Sequence, residues 1–428
     1  MAFVKLLDAR RLFLRLACFV FSWFTVGLTL RLKLGSAADA IYAEDGAIYL
    51  QEAIDFTFPK DFLMPYAGYT DITARALGNF VSLFPLEQYT IAILLCVSFV
   101  LTITGFLVHF SSKDTIKNFR LRILLSVGLI LMPIGNFESI GNITNLHFYL
   151  MAGCLFLLVG KSLSENRNSF GVSFIILSCL STPLMIFYFP IVITNILISI
   201  KHRIKFELHR YHLALIVGIA LQTLFIIIMA PGDRSSNLSP NLSRTIYLFF
   251  DRVIGSSVVP LWGYVSSENL NKGFQELILR GIVGAAIFFL AIVVMIFLYR
   301  QHRSQLIFPM TLVIGLLFYW LTLGLLFAPE PRYAIFASFL FFTALIAMFD
   351  IATKGSSKTL NLFFITLICT ATWLGSFTPS AFRTTGPTIA SQISPLDKLC
   401  LTEYSTVSIR LVPINAQWEL KLNCDKIR

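Results

Sequence analysis

Residues 280–299 read RGIVGAAIFFLAIVVMIFLY, and this stretch decides the fold of the chain. After Arg280 it contains no charged side chain, and about 20 helical residues span the ~30 Å hydrocarbon core of a bilayer. Similar stretches recur along the 428 residues, of which 56% are hydrophobic and 13% charged, with a mean hydropathy of +0.77. Soluble domains carry about 25% charged residues. The sequence therefore predicts an all-α polytopic membrane protein and excludes a disordered chain, a secreted disulfide scaffold and a cytosolic enzyme.

Eleven apolar segments are predicted to be transmembrane helices. They lie near residues 12–32, 88–110, 122–135, 145–160, two short segments within 170–200 that meet near Ser181–Pro183, 212–230, 280–299, 306–328, 333–349 and 359–378. Residues 1–378 thus form a transmembrane domain. It includes a first external loop at 33–87 with amphipathic helices and a second at 231–278. Residues 379–428 form a polar external tail.

The distribution of charge predicts the orientation of the chain. The net charge is +11, and the loops on the N-terminal side of the predicted arrangement hold seventeen of the 34 Lys and Arg but only five of the 23 Asp and Glu. Positive loops face the cytoplasm. We therefore expect a cytoplasmic N-terminus, with the acidic loops and the tail on the outer face. The positive charge then reports topology and does not indicate a nucleic-acid partner.

Cysteine usage predicts one covalent link and no metal centre. Cys400 and Cys424 both lie in the external tail, where an oxidising compartment would allow them to form a disulfide. The alternative is two unpaired thiols with unsuitable geometry. The sequence has no CxxC and no cluster of His and Cys, so a zinc site is not expected.

The first external loop contains the most informative motif, AEDGAIYLQEA at residues 43–53. It places Glu44 and Asp45 side by side at the start of a predicted helix. Adjacent helical positions do not face each other, so the two carboxylates cannot act as a facing acid/base pair. One of them can still be a general base. The alternative is that both are solvated acids favoured by the helix dipole.

Other ionisable groups stand at the outer ends of predicted spans. Arg75 lies in PYAGYTDITARALG, His147 follows NITN, and Arg332 is in PEPRY. An ionisable group at the edge of an apolar span usually has a partner or a ligand. The alternatives are snorkelling or a local ion pair for the arginines and a packed interfacial ring for His147.

These segments carry a family resemblance. AEDGAIYLQEA, PYAGYTDITARALGNFVSLFPLE, GNITNLHFYL and PEPRYAIF are similar to segments of bacterial membrane glycosyltransferases of the GT-C superfamily. In size, topology and polar tail, the chain resembles the bacteriophage-type glucosyltransferases that convert O-antigen serotype. The motif D-x-D is absent, so dependence on a metal is not implied, and no cofactor is expected.

The resemblance implies a reaction and a set of site residues. A sugar, expected to be glucose, would pass with inversion from a polyprenyl-phosphate donor to a lipid-linked O-antigen or other envelope glycan at the periplasmic face of the bacterial inner membrane. Asp45, with Glu44 as its rival, would be the base. Substrate-binding roles would fall to Arg75, Tyr66, Tyr69, His147 and Arg332. A separate flippase and donor synthase would work with the enzyme.

Two other functions fit a polytopic envelope protein. An O-antigen polymerase or ligase would be expected to carry its key arginines in a large loop later in the chain, whereas the densest loop here comes first. A lipid-linked sugar flippase or transporter would be expected to show a charged central cavity or internal repeats. The sequence favours the transferase over both.

Overall fold

The computed structural model describes residues 39–56, 59–66, 68–131, 141–159, 169–201, 210–229, 241–256, 270–326, 331–353, 386–402, 405–412 and 417–424. Over these residues the chain is mostly helical, as an all-α membrane protein should be. The predicted spans at 12–32 and 359–378 lie outside the described residues.

The described helices are numbered here in chain order. In chain order they are α1 (a π-helical segment Asp45–Leu50 continued by Gln51–Asp55), α2 (Ile72–Val81), α3 (Tyr89–Ser111), α4 (Phe119–Leu131), α5 (Leu146–Val159), α6 (Ser169–Ser181), α7 (Tyr188–Lys201), α8 (Arg210–Ile228), α9 (Leu242–Leu248, continued by the π-helical segment Phe249–Gly255), α10 (Leu270–His302), α11 (Ile307–Leu326), α12 (Ala334–Ala352) and α13 (Ile389–Thr402). Short 3-10 turns cover Lys60–Leu63, Leu86–Gln88, Ser112–Asp114, Pro183–Phe187 and Pro331–Tyr333.

Five of the described helical segments are long and apolar enough to cross a bilayer. They are Leu86–Asp114, Arg210–Ile228, Ile278–His302, Ile307–Leu326 and Ala334–Ala352. A sixth candidate is the pair formed by Ser169–Ser181 and Pro183–Ile198, which bends by 116° at its break. The described residues thus give five or six spans.

The bend between α6 and α7 falls where the sequence places it. Thr182 is extended, with φ −159° and ψ 135°, and its side chain caps the next turn by accepting from the Leu184 amide at 3.3 Å. Pro183 follows and has no amide proton with which to continue α6. The two helices are 13 and 14 residues long. Each is therefore about 20 Å long, which is shorter than the ~30 Å hydrocarbon core of a typical bilayer.

Helix α5 lies at the centre of the bundle. All fourteen of its residues are buried, which agrees with a sequence that is apolar on every side. In contrast, only 28% of the span in α10 is buried, and Phe289, Leu290 and Phe297 on it are exposed. Helix α10 therefore lies at the periphery and has an exposed apolar surface, as a helix facing lipid would have.

The C-terminal tail contains a β-hairpin that the sequence analysis did not predict. Strands β1 (Thr406–Arg410) and β2 (Glu419–Asn423) pair antiparallel, with Thr406 opposite Asn423 and Arg410 opposite Glu419. Side chains alternate between buried and exposed along both strands. The hairpin is joined to α13 by the disulfide Cys400–Cys424, whose Cα atoms are 5.4 Å apart.

The tail packs against the residues that lead into α1. The Ala43 amide donates to the Val412 carbonyl at 2.6 Å, and the Val412 amide donates to the Ile41 carbonyl at 3.1 Å. The Gln51 side chain makes two hydrogen bonds to the backbone of Lys421, at 3.1 and 2.6 Å. Residues 412 and 421 of the tail therefore hydrogen-bond to residues in and just before α1, far from them in the chain.

Candidate active site

Asp45 is buried and faces the interior of the protein. Its carboxylate accepts from the amides of Ile143 and Thr144, both at 2.9 Å, and from the Thr144 hydroxyl at 2.6 Å. Three donors occupy most of the lone-pair positions of a carboxylate. Asp45 therefore fastens the start of α1 to the turn that leads into α5.

Glu44 points to a different part of the molecule. It is half-buried, and its Oε1 accepts from the Tyr66 hydroxyl at 3.3 Å. The residue before it, Ala43, has a φ of 23°, in the left-handed region that non-glycine residues rarely adopt. Such backbone strain is concentrated at functional sites. The two neighbouring carboxylates thus have separate surroundings, and Glu44 is the more accessible.

Tyr66 connects several of the predicted site residues. Tyr66 and Tyr69 exchange backbone hydrogen bonds at 2.8 and 3.0 Å, and their rings lie 5.8 Å apart. Burial raises the pKa of Tyr66 and the charge of Glu44 raises it further, while the nearby positive charge of Arg332 opposes the increase. Tyr66 therefore keeps its proton and donates to Glu44. This brings Glu44, Tyr66, Tyr69 and Arg332 into one cluster.

A second buried carboxylate, Asp71, lies beside this cluster. It is the N-cap of α2 and accepts from the Ala74 amide at 3.2 Å. Its other oxygen accepts from the Tyr49 hydroxyl at 3.1 Å. Burial, and then the charge of Asp71, raises the pKa of Tyr49 well above its usual value, so Tyr49 stays a donor.

His147 lies next to Asp71 at the N-terminal end of α5. Its Nδ1 is 3.8 Å from the Asp71 carboxylate and makes no hydrogen bond within the described part of the chain, although the side chain is only 8% exposed. Its ring packs on Phe148, whose ring meets that of Tyr333 at 5.3 Å. Tyr333 follows Arg332 in the chain, so these ring contacts link His147 to the segment that carries Arg332.

Asp71 and Tyr49 are not among the site residues that the sequence predicts. Asp71 stands three residues before Ala74, the spacing at which a side chain caps a helix. That signal indicates a helix start and gives no indication that the other carboxylate oxygen would meet Tyr49 and His147. These contacts join residues that are 22 and 76 positions apart.

Arg75 lies behind the cluster and not at the surface. Its side chain is 1% exposed, and its Nη1 pairs with Glu52 and donates to the Asp61 carbonyl at 2.7 Å. The guanidinium also lies 5.8 Å from the Tyr49 ring. Arg75 thus forms a local ion pair, and its role in substrate binding stays a prediction. It ties α1 to α2.

The cluster combines the groups that a proton transfer near an anion requires. Glu44 is an accessible acceptor for a proton, Tyr66 is a donor, and His147 and Arg332 provide nitrogen groups around them. Among the described residues, no group of three or more His, Cys, Asp or Glu is arranged to hold a metal ion.

Comparisons of this chain with protein-family models, with curated proteins and with solved structures find no match.

Proposed function

We propose that this protein is an inverting glycosyltransferase of the GT-C type. It moves a sugar, by resemblance glucose, from a polyprenyl-phosphate donor to a lipid-linked O-antigen or other envelope glycan at the periplasmic face of the bacterial inner membrane. One observation carries the proposal: Glu44, Tyr66, His147 and Arg332 come from three external segments of the sequence and form one cluster beside the ends of apolar helices. Substrates anchored in lipid would reach a cluster in this position.

In this mechanism Glu44 is the general base. It removes the proton from the acceptor hydroxyl as that oxygen attacks the anomeric carbon from the face opposite the phosphate. The bond between the anomeric carbon and the phosphate oxygen breaks, its electron pair stays on the phosphate, and the configuration inverts. Asp45, with three hydrogen bonds to residues 143 and 144, holds the segment in place. We therefore assign catalysis to Glu44 and positioning to Asp45.

Arg332 and His147 would stabilise the departing phosphate. A phosphate is a good leaving group and requires no general acid, but its developing charge is stabilised by donors and cations already in place. The His147 Nδ1 is buried 3.8 Å from the Asp71 carboxylate and makes no hydrogen bond to the described residues, so it is available to a ligand atom. Tyr66 and Tyr69 would pack against the sugar, because tyrosines combine an apolar face with a polar edge.

The contacts between loops agree with the grouping of loops by side in the proposed topology. The Asp350 carboxylate accepts from the amides of Lys117 and Asn118 at 2.9 and 3.0 Å, which joins two loops assigned to the cytoplasmic side. Asp39 accepts from the Ala390 amide at 3.3 Å, which joins the first external loop to the tail.

The bent pair of α6 and α7 fits the same topology as two short crossings that meet at the outer side. Thr70 in the first external loop donates to the Leu180 carbonyl at 2.8 Å, and the hydroxyls of Thr73 and Ser181 are 2.6 Å apart. The other ends of α6 and α7 adjoin basic segments at residues 161–167 and 201–210. Because the start of α6 and the end of α7 both adjoin positive segments, we expect both ends to lie on the cytoplasmic side.

The test is to express the protein in cells of known O-antigen and to analyse the glycan by mass spectrometry. We expect the addition of one hexose per repeat unit, and its loss with Glu44→Gln at unchanged protein level. A changed chain length without added hexose would indicate a polymerase. An unchanged glycan in the presence of the donor synthase and flippase would contradict the proposal.

A further inference from the structure

A second polar cluster lies where α9 crosses the start of α10. Asp251 and Arg280 are both buried and form an ion pair, with Arg280 Nε 2.5 Å from Asp251 Oδ1. Asp251 belongs to the π-helical part of α9, and such segments are common at functional sites. Gly255 and Gly284 allow the two backbones to come so close that a Cβ at either position would overlap its neighbour. The pair therefore sits at a tight helix crossing.

The ion pair leaves one donor unused. Arg280 Nη1 is buried and has no hydrogen-bond partner among the residues that the structure describes. A buried guanidinium N–H without an acceptor is costly, so an acceptor brought by a ligand would stabilise it. Arg280 lies two residues inside the apolar span Ile278–His302, which is the depth of the lipid headgroups at the end of a span.

Further positive charge surrounds the pair. Arg252 follows Asp251, and the Tyr247 hydroxyl lies within electrostatic range of Asp251, Arg252 and Arg280. Arg244 stands one helical turn before Tyr247 and is exposed. Among the side chains that the structure describes at this crossing, three guanidinium groups and one carboxylate carry a net charge of +2.

The rim of this face is apolar. On α9, Leu242 and Ile246 are 56% and 45% exposed, and on α10, Leu279 and Ile282 are 57% and 61% exposed. The Tyr247 ring packs over Gly281 between the two helices. Exposed aliphatic side chains around arginines and a tyrosine are typical of a surface that lies in the membrane interface.

We infer that this face, formed by Arg244, Tyr247, Arg252 and Arg280, binds the headgroup phosphate of an anionic membrane phospholipid. Guanidinium groups match phosphate oxygens in geometry and charge. The net positive charge favours an anionic lipid over a zwitterionic one. The apolar rim provides contacts for acyl chains, which free phosphate cannot use. The inference does not depend on the proposed sugar transfer.

The experiment measures thermal unfolding of the full chain, purified in neutral detergent, with phosphatidylglycerol, phosphatidylcholine or inorganic phosphate added. We expect phosphatidylglycerol to raise the melting temperature by several degrees, because a ligand that binds the native state stabilises it. Phosphatidylcholine and inorganic phosphate should have little effect. An equal shift with inorganic phosphate would mean an adventitious ion only, and an equal shift with phosphatidylcholine would mean general lipid contact. Either result would overturn the inference.

Substitutions test whether phosphatidylglycerol binds at this face. Arg244→Gln, which does not touch the buried pair, should weaken phosphatidylglycerol binding about tenfold, because one charge-assisted hydrogen bond is lost. Asp251→Leu combined with Arg280→Met removes the pair without leaving a lone buried charge and should weaken binding at least as much. Arg300→Gln, an exposed arginine at the other end of α10, is the matched control and should bind as the wild type does. Unchanged binding in Arg244→Gln would overturn the inference even if the double variant fails to fold.

Discussion

Glu44 and Asp45 are neighbours in the chain, yet they meet different surroundings. The Asp45 carboxylate is filled by three donors from residues 143 and 144, whereas Glu44 is half-buried and has one hydrogen bond, from Tyr66. A substitution at each position should therefore change a different property of the protein.

Asp45→Asn should lower the stability of the protein, and Glu44→Gln should not. The NH₂ group of an asparagine would face a donor, the amide of Ile143 or Thr144, and would leave that amide without an acceptor. The loss costs about 3 kcal/mol at a buried site. At position 44 a glutamine still accepts from Tyr66. Chemical unfolding of the two purified variants measures the difference. Equal stability of the two variants would show that Asp45 does not hold α1.

Arg75→Ala should destabilise the protein by about 3–5 kcal/mol, because it leaves the Glu52 carboxylate in a largely buried position without its partner. Arg410→Ala is the control, since Arg410 is exposed on β1 and has no ion pair among the described contacts. The measurement is the free energy of unfolding. A small loss in Arg75→Ala, similar to that of the control, would show that Arg75 is free to serve another role.

At the scale of elements, the tail and the first external loop are packed against each other. The hairpin of β1 and β2 meets residues 41–43 through main-chain hydrogen bonds, and Leu411 packs against Gly46. The disulfide Cys400–Cys424 closes the tail on itself. Movement of the tail would therefore disturb the backbone on which Glu44 stands.

Removal of the disulfide should destabilise the tail and also the segment 41–46 that packs against it. Cys400→Ser combined with Cys424→Ser should cost about 3 kcal/mol of tail stability, from the lost restraint on a loop of 24 residues. Hydrogen exchange should become faster at residues 406–412 and also at 41–46. Fast exchange in the tail with unchanged exchange at 41–46 would contradict the coupling.

The packing of α2 on α1 depends on Gly78. A Cβ there would lie 2.8 Å from the Tyr49 carbonyl oxygen, which belongs to the backbone and cannot move aside. Gly78→Ala should therefore cost about 1–3 kcal/mol. Gly281→Ala is the matched control, because its Cβ would meet the Tyr247 ring at 3.4 Å, an ordinary distance. Thermal unfolding compares them, and an equal effect at both sites would argue against close contact at Gly78.

Most of the apolar helices could be predicted from the sequence, because hydropathy is a local property. The predicted segments 88–110, 212–230, 280–299, 306–328 and 333–349 each overlap a described helix, and the predicted break near Ser181–Pro183 coincides with the bend. The hairpin was missed, although Thr406–Arg410 alternates in polarity, because such a short pattern is weak evidence of a strand. The contacts of Asp71 with Tyr49 and His147 arise from tertiary packing, which no local pattern specifies.

At the scale of the whole molecule, the loop contacts separate into two groups. Asp350 meets residues 117 and 118, while the first external loop meets residues 143–144, 180–181 and the tail. The first group belongs to loops assigned to the cytoplasm, and the second to loops assigned to the outer face. The candidate active site is formed by loops of the second group.

A topology reporter should reproduce this separation. A phosphatase that is active only in the periplasm should be active when fused after residue 428 and inactive when fused after residue 303, since positive loops stay in the cytoplasm. A fusion after residue 145 should be active and serves as the internal control. An inactive fusion after residue 428 would contradict the eleven-span arrangement.

The central claim is that Glu44 removes the proton in a sugar transfer from a lipid phosphate. The direct test is transfer by the purified protein from a polyprenyl-phosphate glucose donor to a lipid-linked glycan, with wild type and Glu44→Gln compared at equal thermal stability. We predict a fall in kcat of at least about 100-fold, the usual contribution of a general base, with little change in KM. Full activity in Glu44→Gln, or no transfer by the wild type, would contradict the account.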